Sequence, residues 1–190
     1  LAAARALGED GNHVLVNSLN PYRREGQKTA VYEIVEQLGG APDAFVIPYG
    51  GGGNTSAYAQ ALAELSLEAL VVSAEAADRR RTIASAIRIG EPAHAERVHS
   101  SGALVVTVSY DEILEAWREL AALEGIFCEP SSAAGLAAVR RGDVPGDRLA
   151  VTLTGHGLKD VAPADRLAPA PLLVEADPDA IRELAEGDFS

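Results

Sequence analysis

The residues best suited to chemistry lie in a run of four glycines at positions 50–53, which is followed by Asn54. Because glycine has no β-carbon, the backbone N–H groups of such a loop can converge on a small anion. The apolar run Ala44–Pro48 before the loop indicates a buried strand, and a helix after it would place its positive end behind the anion. The hydroxyls of Thr55 and Ser56 can add donors. The loop therefore predicts a phosphate site, and a flexible turn without a ligand is the alternative interpretation.

The glycine run does not match the two common nucleotide-binding patterns. A Walker A loop ends in Gly-Lys followed by Ser or Thr, and the dinucleotide fingerprint reads G-x-G-x-x-G with an acidic residue further on. This loop has neither feature. It suits the phosphate of a compact cofactor better than a nucleotide.

The composition is that of a globular protein and disfavours several classes of function. Of the 190 residues, 47% are hydrophobic and 23% are charged, as in ordinary folded domains. The net charge of −12 and the pI of about 4.7 disfavour binding to nucleic acid or to an anionic membrane. The apolar runs fall far short of the roughly 20 residues that span a bilayer. The one cysteine, Cys128, suits a reducing cytosol, so we expect a cytoplasmic protein.

Short apolar runs alternate with amphipathic stretches along the chain. Strands are predicted at residues 14–16, 44–48, 70–73, 104–108 and 149–153. Helices are predicted at residues 25–38, at residues 54–65 with Asn54 as the N-cap, behind a capping box at Ser109 and Glu112, and at residues 131–140. Continuously apolar strands that alternate with helices indicate a parallel sheet covered on both faces. We predict an α/β fold, a three-layer sandwich with a mostly parallel sheet.

The two ends of the chain are less regular. Residues 162–171 are rich in alanine and proline and are predicted to be a linker, and a short helix is predicted to start at Asp177 and Pro178. The sequence contains no methionine and begins at Leu1 within an alanine-rich stretch. We therefore expect that an N-terminal segment is missing from it.

Four segments around the glycine loop together resemble threonine synthases, which are pyridoxal-phosphate (PLP) enzymes of fold type II. They read V-N-S-L-N-P-Y-R-R-E-G-Q-K-T, A-I-R-I-G, G-I-F-C-E-P-S-S-A-A and L-T-G-H-G-L-K-D, and they start at residues 16, 86, 125 and 153. They follow the family's order and cover most of the chain. The resemblance implies the end of a small domain at residues 1–19, the PLP-binding large domain at 20–165 and a C-terminal tail at 166–190.

The resemblance also implies how the cofactor is held. The family binds the PLP phosphate in its glycine loop, which corresponds to Gly50, Gly51, Gly52, Gly53 and Asn54. A threonine hydroxyl of the T-G-H-G-L-K-D motif faces the pyridine nitrogen, which corresponds to Thr154. A neutral hydroxyl there would not hold a proton on the ring as a carboxylate does.

The substrate implied by the resemblance is O-phosphohomoserine, which is converted with water to threonine and phosphate while PLP acts as the electron sink. The residues that correspond to the family's substrate-phosphate ligands are Asn17, Ser18 and Arg23. Arginine suits this task because its planar fork pairs with phosphate oxygens. Turn and capping roles around Pro21 are the alternative for these residues. The resemblance implies a homodimer for the full-length enzyme.

Two departures from the family pattern bear on activity. The family usually reads G-N-A-G-N in the loop, so Gly51 replaces an asparagine, and an all-glycine loop is more typical of threonine and serine dehydratases. The family's Schiff-base lysine lies upstream of the matching segments. The only two lysines here, Lys28 and Lys159, match non-catalytic positions. We therefore expect no catalytic residue in this chain and no activity from it alone. A dehydratase-like part and a non-catalytic module that binds PLP or phosphate remain alternatives.

Several other residues receive structural interpretations. His156, between two glycines, is expected to position the backbone rather than to act as a general base. His94 and His99 show no zinc-binding spacing and are assigned to a solvated loop. Glu129 is expected to favour a helix start through the helix dipole, and a role in the cofactor site is the alternative. Cys128 is expected to be a buried, inert thiol, and the arginines at 79–81 to lie on a solvated helix face.

Overall fold

The computed structural model describes residues 2–9, 11–17, 19–168, 170–171 and 173–186. The helices are α1 (Ala2–Glu9), α2 (Pro21–Leu38), α3 (Gly53–Leu65), α4 (Ala95–Ser100), α5 (Tyr110–Glu124), α6 (Ala134–Arg141), α7 (Ala162–Leu167) and α8 (Pro178–Glu186). The strands are β1 (Ala44–Pro48), β2 (Leu70–Ala76), β3 (Leu104–Val108) and β4 (Leu149–Val151). Short 3₁₀ helices lie at Ser85–Ile87, Pro130–Ala133 and Gly157–Lys159. Over these ranges, no helix has both the length and the apolar character to cross a membrane.

The strands form one parallel sheet in the order β3-β2-β1-β4. β1 is an inner strand, and Ala44 at its start is in register with Leu70 of β2 and with Leu149 of β4. Because all neighbours are parallel, the carboxyl ends of the strands lie along the same edge of the sheet. The predicted parallel α/β sheet is confirmed.

Helices cover both faces of the sheet because successive side chains of β1 point to opposite faces. Phe45 and Ile47 are fully buried in one apolar core together with side chains of α2 and α3. Ala44 and Val46 are fully buried in a second core together with side chains of α5 and α6. The predicted three-layer arrangement is confirmed.

Local capping signals set several helix ends. The capping box that begins α5 is present, with the Ser109 hydroxyl accepting from the Glu112 N–H and the Glu112 carboxylate accepting from the Ser109 N–H. Helix α2 begins at Pro21, four residues earlier than predicted. Asn20 caps it by accepting from the Tyr22 N–H, and Pro21 takes the first position, where no donor is needed.

Four local predictions were wrong. Residues 14–16 form no strand, and Val14 and Val16 are 80% and 71% exposed. Strand β4 ends at Val151 instead of residue 153. The predicted linker contains α7, because Pro163 sits in its first turn, where proline is tolerated. The arginines at 79–81 lie in turns and bends rather than on a helix.

Lys28 of α2 is buried and joins α2 to α3. Its ammonium lies 2.9 Å from both carboxylate oxygens of Glu64 and 2.5 Å from Glu25. The hydrogen bond from Lys28, followed by those from Gln60 and Tyr32, lowers the pKa of Glu64 from 4.5 to about 2. The same carboxylates raise the pKa of Lys28. Both groups are therefore charged, and the pair tethers the two helices, at neutral pH.

This tether predicts a pH-dependent contribution to stability. Because the folded-state pKa of Glu64 is depressed, its contribution is present above the unfolded pKa and is lost as the pH falls through the folded value, between about pH 5 and pH 2. We expect Glu64→Gln to lower the urea unfolding midpoint at neutral pH, and the difference from the unsubstituted chain to shrink towards pH 2. Glu33→Gln, at an exposed position of α2, is the control. A difference that stays constant with pH would contradict the assignment.

Candidate functional site

A cavity of about 590 Å³ lies at the carboxyl ends of β1 and β4. Its walls come from α2, from the glycine loop before α3, from the segment around Ser131 and from the chain after β4. It brings together most of the site residues predicted from the sequence, which are Arg23, Gly50, Gly51, Gly52, Gly53, Asn54 and Thr154. Residues separated by more than a hundred positions in the sequence thus share one site.

The glycine loop is packed too tightly for side chains at two positions. A β-carbon on Gly50 would lie 2.9 Å from the carbonyl oxygen of Ala86. Gly52 has φ of 83°, and a β-carbon there would lie 2.9 Å from a methyl carbon of Val98. Steric contact and left-handed backbone therefore both require glycine. The loop has one defined shape, which argues against a flexible turn.

Tyr49 packs against the glycine loop, and Arg79 packs against Tyr49. The Arg79 guanidinium lies 5.1 Å from the centre of the Tyr49 ring, and that ring faces Gly52. Arg79 also donates to the carbonyl oxygen of Ile89 at 2.7 Å and pairs with Glu75. Arg79 therefore supports the loop through these contacts, instead of lying on a solvated helix face.

Helix α3 starts directly from the glycine loop, which lines the cavity. The first N–H groups of the helix therefore lie at the cavity. Gly52 is the N-cap, without a side-chain cap, and Asn54 lies inside the first turn, so the prediction of Asn54 as the N-cap was wrong. The Thr55 hydroxyl is buried 2.7 Å from that of Ser73, and the Ser56 hydroxyl donates to the Gly53 carbonyl. Both hydroxyls therefore have partners within the fold, and the groups left for the predicted anion are backbone donors and the helix dipole.

Thr154 is positioned by the buried residue Ser132. The Ser132 hydroxyl accepts from the Gly155 N–H at 2.9 Å and lies 3.4 Å from the Thr154 hydroxyl. A bridge between Cys128 and His156 fixes the same segment against the chain before Ser132. The Thr154 side chain is exposed and lines the cavity, as its predicted contact with a ligand requires.

Glu129 and Lys159 also line the cavity. From the sequence, a cofactor-site role was only the alternative for Glu129, and Lys159 was assigned to a non-catalytic position. The Lys159 ammonium donates to Glu129 Oε1 at 2.9 Å. Glu129 precedes the short helix Pro130–Ala133, and its side chain makes no cap hydrogen bond to that helix. A glutamate directly before the helix-initiating Pro130, in the same sequence segment as the buried serines, was the available signal.

Of the two predicted substrate-phosphate ligands that the structure describes, Arg23 lines the cavity and Asn17 is absent from the described lining. Arg23 is exposed and also borders a neighbouring cleft that Asn17 lines. The Asn17 side chain accepts from the Leu19 N–H at 2.9 Å, which is a turn-forming contact. Ser18 lies outside the described residues.

The comparisons with known proteins decide the family. The sequence profile described as "Pyridoxal-phosphate dependent enzyme" matches residues 1–155. The chain belongs to this family. Members of this family depend on pyridoxal phosphate as their cofactor.

Curated relatives of this PLP-family chain are threonine synthases. The protein from Bacillus sp. (strain ULM1) is 40% identical, over 84% of this chain and 53% of the relative. The protein from Mycobacterium tuberculosis (strain ATCC 25618 / H37Rv) is 38% identical, over 96% of this chain and 58% of the relative. The chain thus spans about half the length of the curated relatives it matches.

The solved structures agree with the family assignment. The threonine deaminase of T.th. superposes with a TM-score of 0.62 at 28% identity, over 72% of this chain and 59% of that chain. The neighbours are PLP enzymes of fold type II, which confirms the predicted fold class.

The remaining candidate residues of this PLP-family chain have structural surroundings. His156 accepts from the Leu158 N–H at 3.1 Å and so shapes the backbone. Cys128 is buried, and burial raises the pKa of its thiol. His94 precedes the short helix α4, which contains the exposed His99. In the described part of the chain, no group of three or more His, Cys, Asp or Glu side chains is arranged to hold a metal ion.

Proposed function

We propose that this chain forms the phosphate-binding and ring-contacting part of a threonine synthase site, which converts O-phosphohomoserine and water to L-threonine and phosphate with PLP. The observation that carries the proposal is the single cavity that contains the glycine loop, Arg23 and Thr154. The threonine synthase relatives support the choice of substrate. This activity belongs to the carbon–oxygen lyases that act on phosphates.

The cavity residues fit a phosphorylated pyridine. Gly50 and Gly52 of the glycine loop have no room for β-carbons, and the N-terminus of α3 behind the loop offers N–H groups without a competing side-chain cap. These donors would hold the cofactor phosphate. The Thr154 hydroxyl would contact the ring nitrogen without delivering a full charge. When bound, the cofactor supplies the electron sink for the reaction.

Arg23 would hold the phosphate of the substrate. Arg23 is exposed and lines the cavity, so its guanidinium adds a positive charge to the site. Its planar fork can bind two phosphate oxygens at once. In the proposed reaction both the cofactor and the substrate carry a phosphate, and the glycine loop and Arg23 would each hold one of them.

The covalent attachment of the cofactor would come from outside this chain. Lys28 lies between α2 and α3, where Glu25 and Glu64 hold its ammonium. Lys159 is in the cavity, but its ammonium is bound to Glu129. We therefore propose that turnover needs a lysine supplied by a further part of the enzyme, as the length of the relatives suggests.

Co-expression tests this function. This chain would be produced together with the part of the Bacillus sp. (strain ULM1) threonine synthase that it does not match. We expect the mixture to release phosphate from O-phosphohomoserine and to form threonine, and this chain alone to do neither.

The same assay separates the alternatives. Gly51 and the deaminase neighbour favour a dehydratase as the second candidate. If the mixture deaminates L-threonine and releases no phosphate from O-phosphohomoserine, the dehydratase replaces the synthase as the proposed function. A purified complex of the two parts that binds PLP but turns over neither substrate would favour a non-catalytic binding module.

A further inference from the structure

Glu129 is a buried carboxylate that the proposed function does not explain. The residue is 2% exposed and lines the cavity. Its Oε1 accepts from Lys159, whereas its Oε2 has no hydrogen-bond partner among the residues that the structure describes. A buried acceptor without a partner costs free energy, so such groups in folded proteins call for a specific explanation.

The backbone around Glu129 does not need the carboxylate. The Glu129 N–H donates to the Gly155 carbonyl, and the Glu129 carbonyl accepts from the Ser132 N–H, each at 2.9 Å. The following helix Pro130–Ala133 begins without a side-chain cap from Glu129. Folding of this segment is therefore accounted for by main-chain contacts alone.

Lys159 does not offset the burial of this carboxylate. The Lys159 side chain is 61% exposed, and ion pairs with exposed partners contribute little stability. Taking a carboxylate out of water is, by contrast, expensive unless its oxygens are satisfied. A hydrogen-bond donor in addition to Lys159 is therefore required to satisfy the Glu129 carboxylate.

The Glu129 carboxylate packs directly against Gly155, where any side chain would collide with it. A β-carbon on Gly155 would lie 2.2 Å from Glu129 Oε1, so the absence of a side chain at 155 is what allows the carboxylate to occupy its position beside Thr154. The glycine directly follows the threonine assigned to the cofactor ring. Glu129 and Thr154 thus lie on the same side of the cavity.

We propose that Glu129 is a ligand-contacting residue, which accepts a hydrogen bond from a donor group of the vitamin B6-type molecule bound in the cavity. This inference rests on the proposed function. Lys159 holds Oε1, so Oε2 is the oxygen left to accept a hydrogen bond from the ligand. The donor belongs either to the pyridine ring, as its hydroxyl, or to the amine attached at the reactive carbon.

Non-covalent probes test the proposal on this chain. 4-Deoxypyridoxine phosphate and pyridoxamine phosphate share the ring and the phosphate, but only the second carries a hydrogen-bond donor, its amine, at the reactive carbon, and neither carries an aldehyde that reacts with lysine. Binding can be followed by the fluorescence of Trp117, the only tryptophan, whose indole N–H donates to the carbonyl of Cys128 at 2.6 Å. Inorganic phosphate, as a competitor, reports on the glycine loop alone.

Glu129→Gln keeps the shape of the side chain and removes its charge. We expect it to weaken probe binding by about 10- to 100-fold, the usual loss for a hydrogen bond to a charged group, and to leave inorganic phosphate binding unchanged. Loss for both probes assigns the donor to the ring, and loss for pyridoxamine phosphate alone assigns it to the amine. Glu124→Gln, at an exposed position of α5, is the matched control.

Two results would overturn the proposal. If Glu129→Gln binds both probes as the unsubstituted chain does, the carboxylate makes no ligand contact. If it loses inorganic phosphate and the probes in equal measure, its role is structural, and the thermal unfolding midpoint should then fall as well. Failure of the unsubstituted chain to bind either probe would instead refute the proposed function, and the role of Glu129 with it.

Discussion

Gly52→Ala is expected to weaken the binding of pyridoxamine phosphate by about 100-fold or more, because displacing the loop removes at least two charge-assisted hydrogen bonds of about 1.5 kcal/mol each. The φ of 83° and the 2.9 Å approach to Val98 leave no place for the new methyl group. The loop must shift, and its N–H groups then no longer converge. Titration followed by Trp117 fluorescence measures the effect.

Gly102→Ala is the matched control for this substitution. Gly102 has φ of 73°, and a β-carbon there would meet nothing within 4 Å. Both alanines carry a backbone cost of about 1–2 kcal/mol in the left-handed region, so both should lower the unfolding midpoint. Only Gly52→Ala should lose the ligand. Equal ligand affinities in the two variants would show that the loop does not bind the phosphate.

Arg23→Met is expected to abolish most binding of a second anion while it leaves the first in place. With the chain saturated by pyridoxamine phosphate, the affinity for inorganic phosphate should fall by about 10- to 100-fold, because a bidentate, charge-assisted contact is lost. The affinity for pyridoxamine phosphate itself should not change. Isothermal titration calorimetry measures both constants.

Two comparisons sharpen the Arg23 experiment. Arg23→Lys keeps the charge but not the planar fork and should restore only part of the phosphate affinity. Arg97→Met, at an exposed position of α4, should change neither constant. If Arg23→Met weakened pyridoxamine phosphate instead of the second phosphate, Arg23 would belong to the cofactor site, and the proposed division of the cavity would be wrong.

The sheet and the glycine loop could be predicted because both depend on local residue types. A continuous apolar run such as Ala44–Pro48 has few alternatives to a buried strand, and a loop without β-carbons between a strand and a helix favours an anion. The same local reasoning failed at Asn54. There the left-handed conformation of Gly52, rather than a side-chain cap, determines where α3 starts.

The contacts that hold Glu129, Thr154 and Lys159 at the cavity could not be predicted from local sequence patterns, because they join residues that are distant in the sequence. Glu129 and Lys159 are 30 positions apart, and Ser132 and Thr154 are 22 apart. The pairing of Cys128 with His156 brings them together, and no periodicity encodes a single bridge. Arg79 is a similar case, since its contacts with Tyr49 and Ile89 form only once the loops have packed.

The claim that this cavity is a cofactor-phosphate site is tested most directly by comparing pyridoxamine phosphate with pyridoxamine. The two ligands differ only in the phosphate, so their affinity ratio isolates the contribution of the glycine loop and the N-terminus of α3. The account predicts that the phosphorylated ligand binds about 100-fold more tightly and that inorganic phosphate displaces it. Equal affinities, or no binding of either ligand, would contradict it.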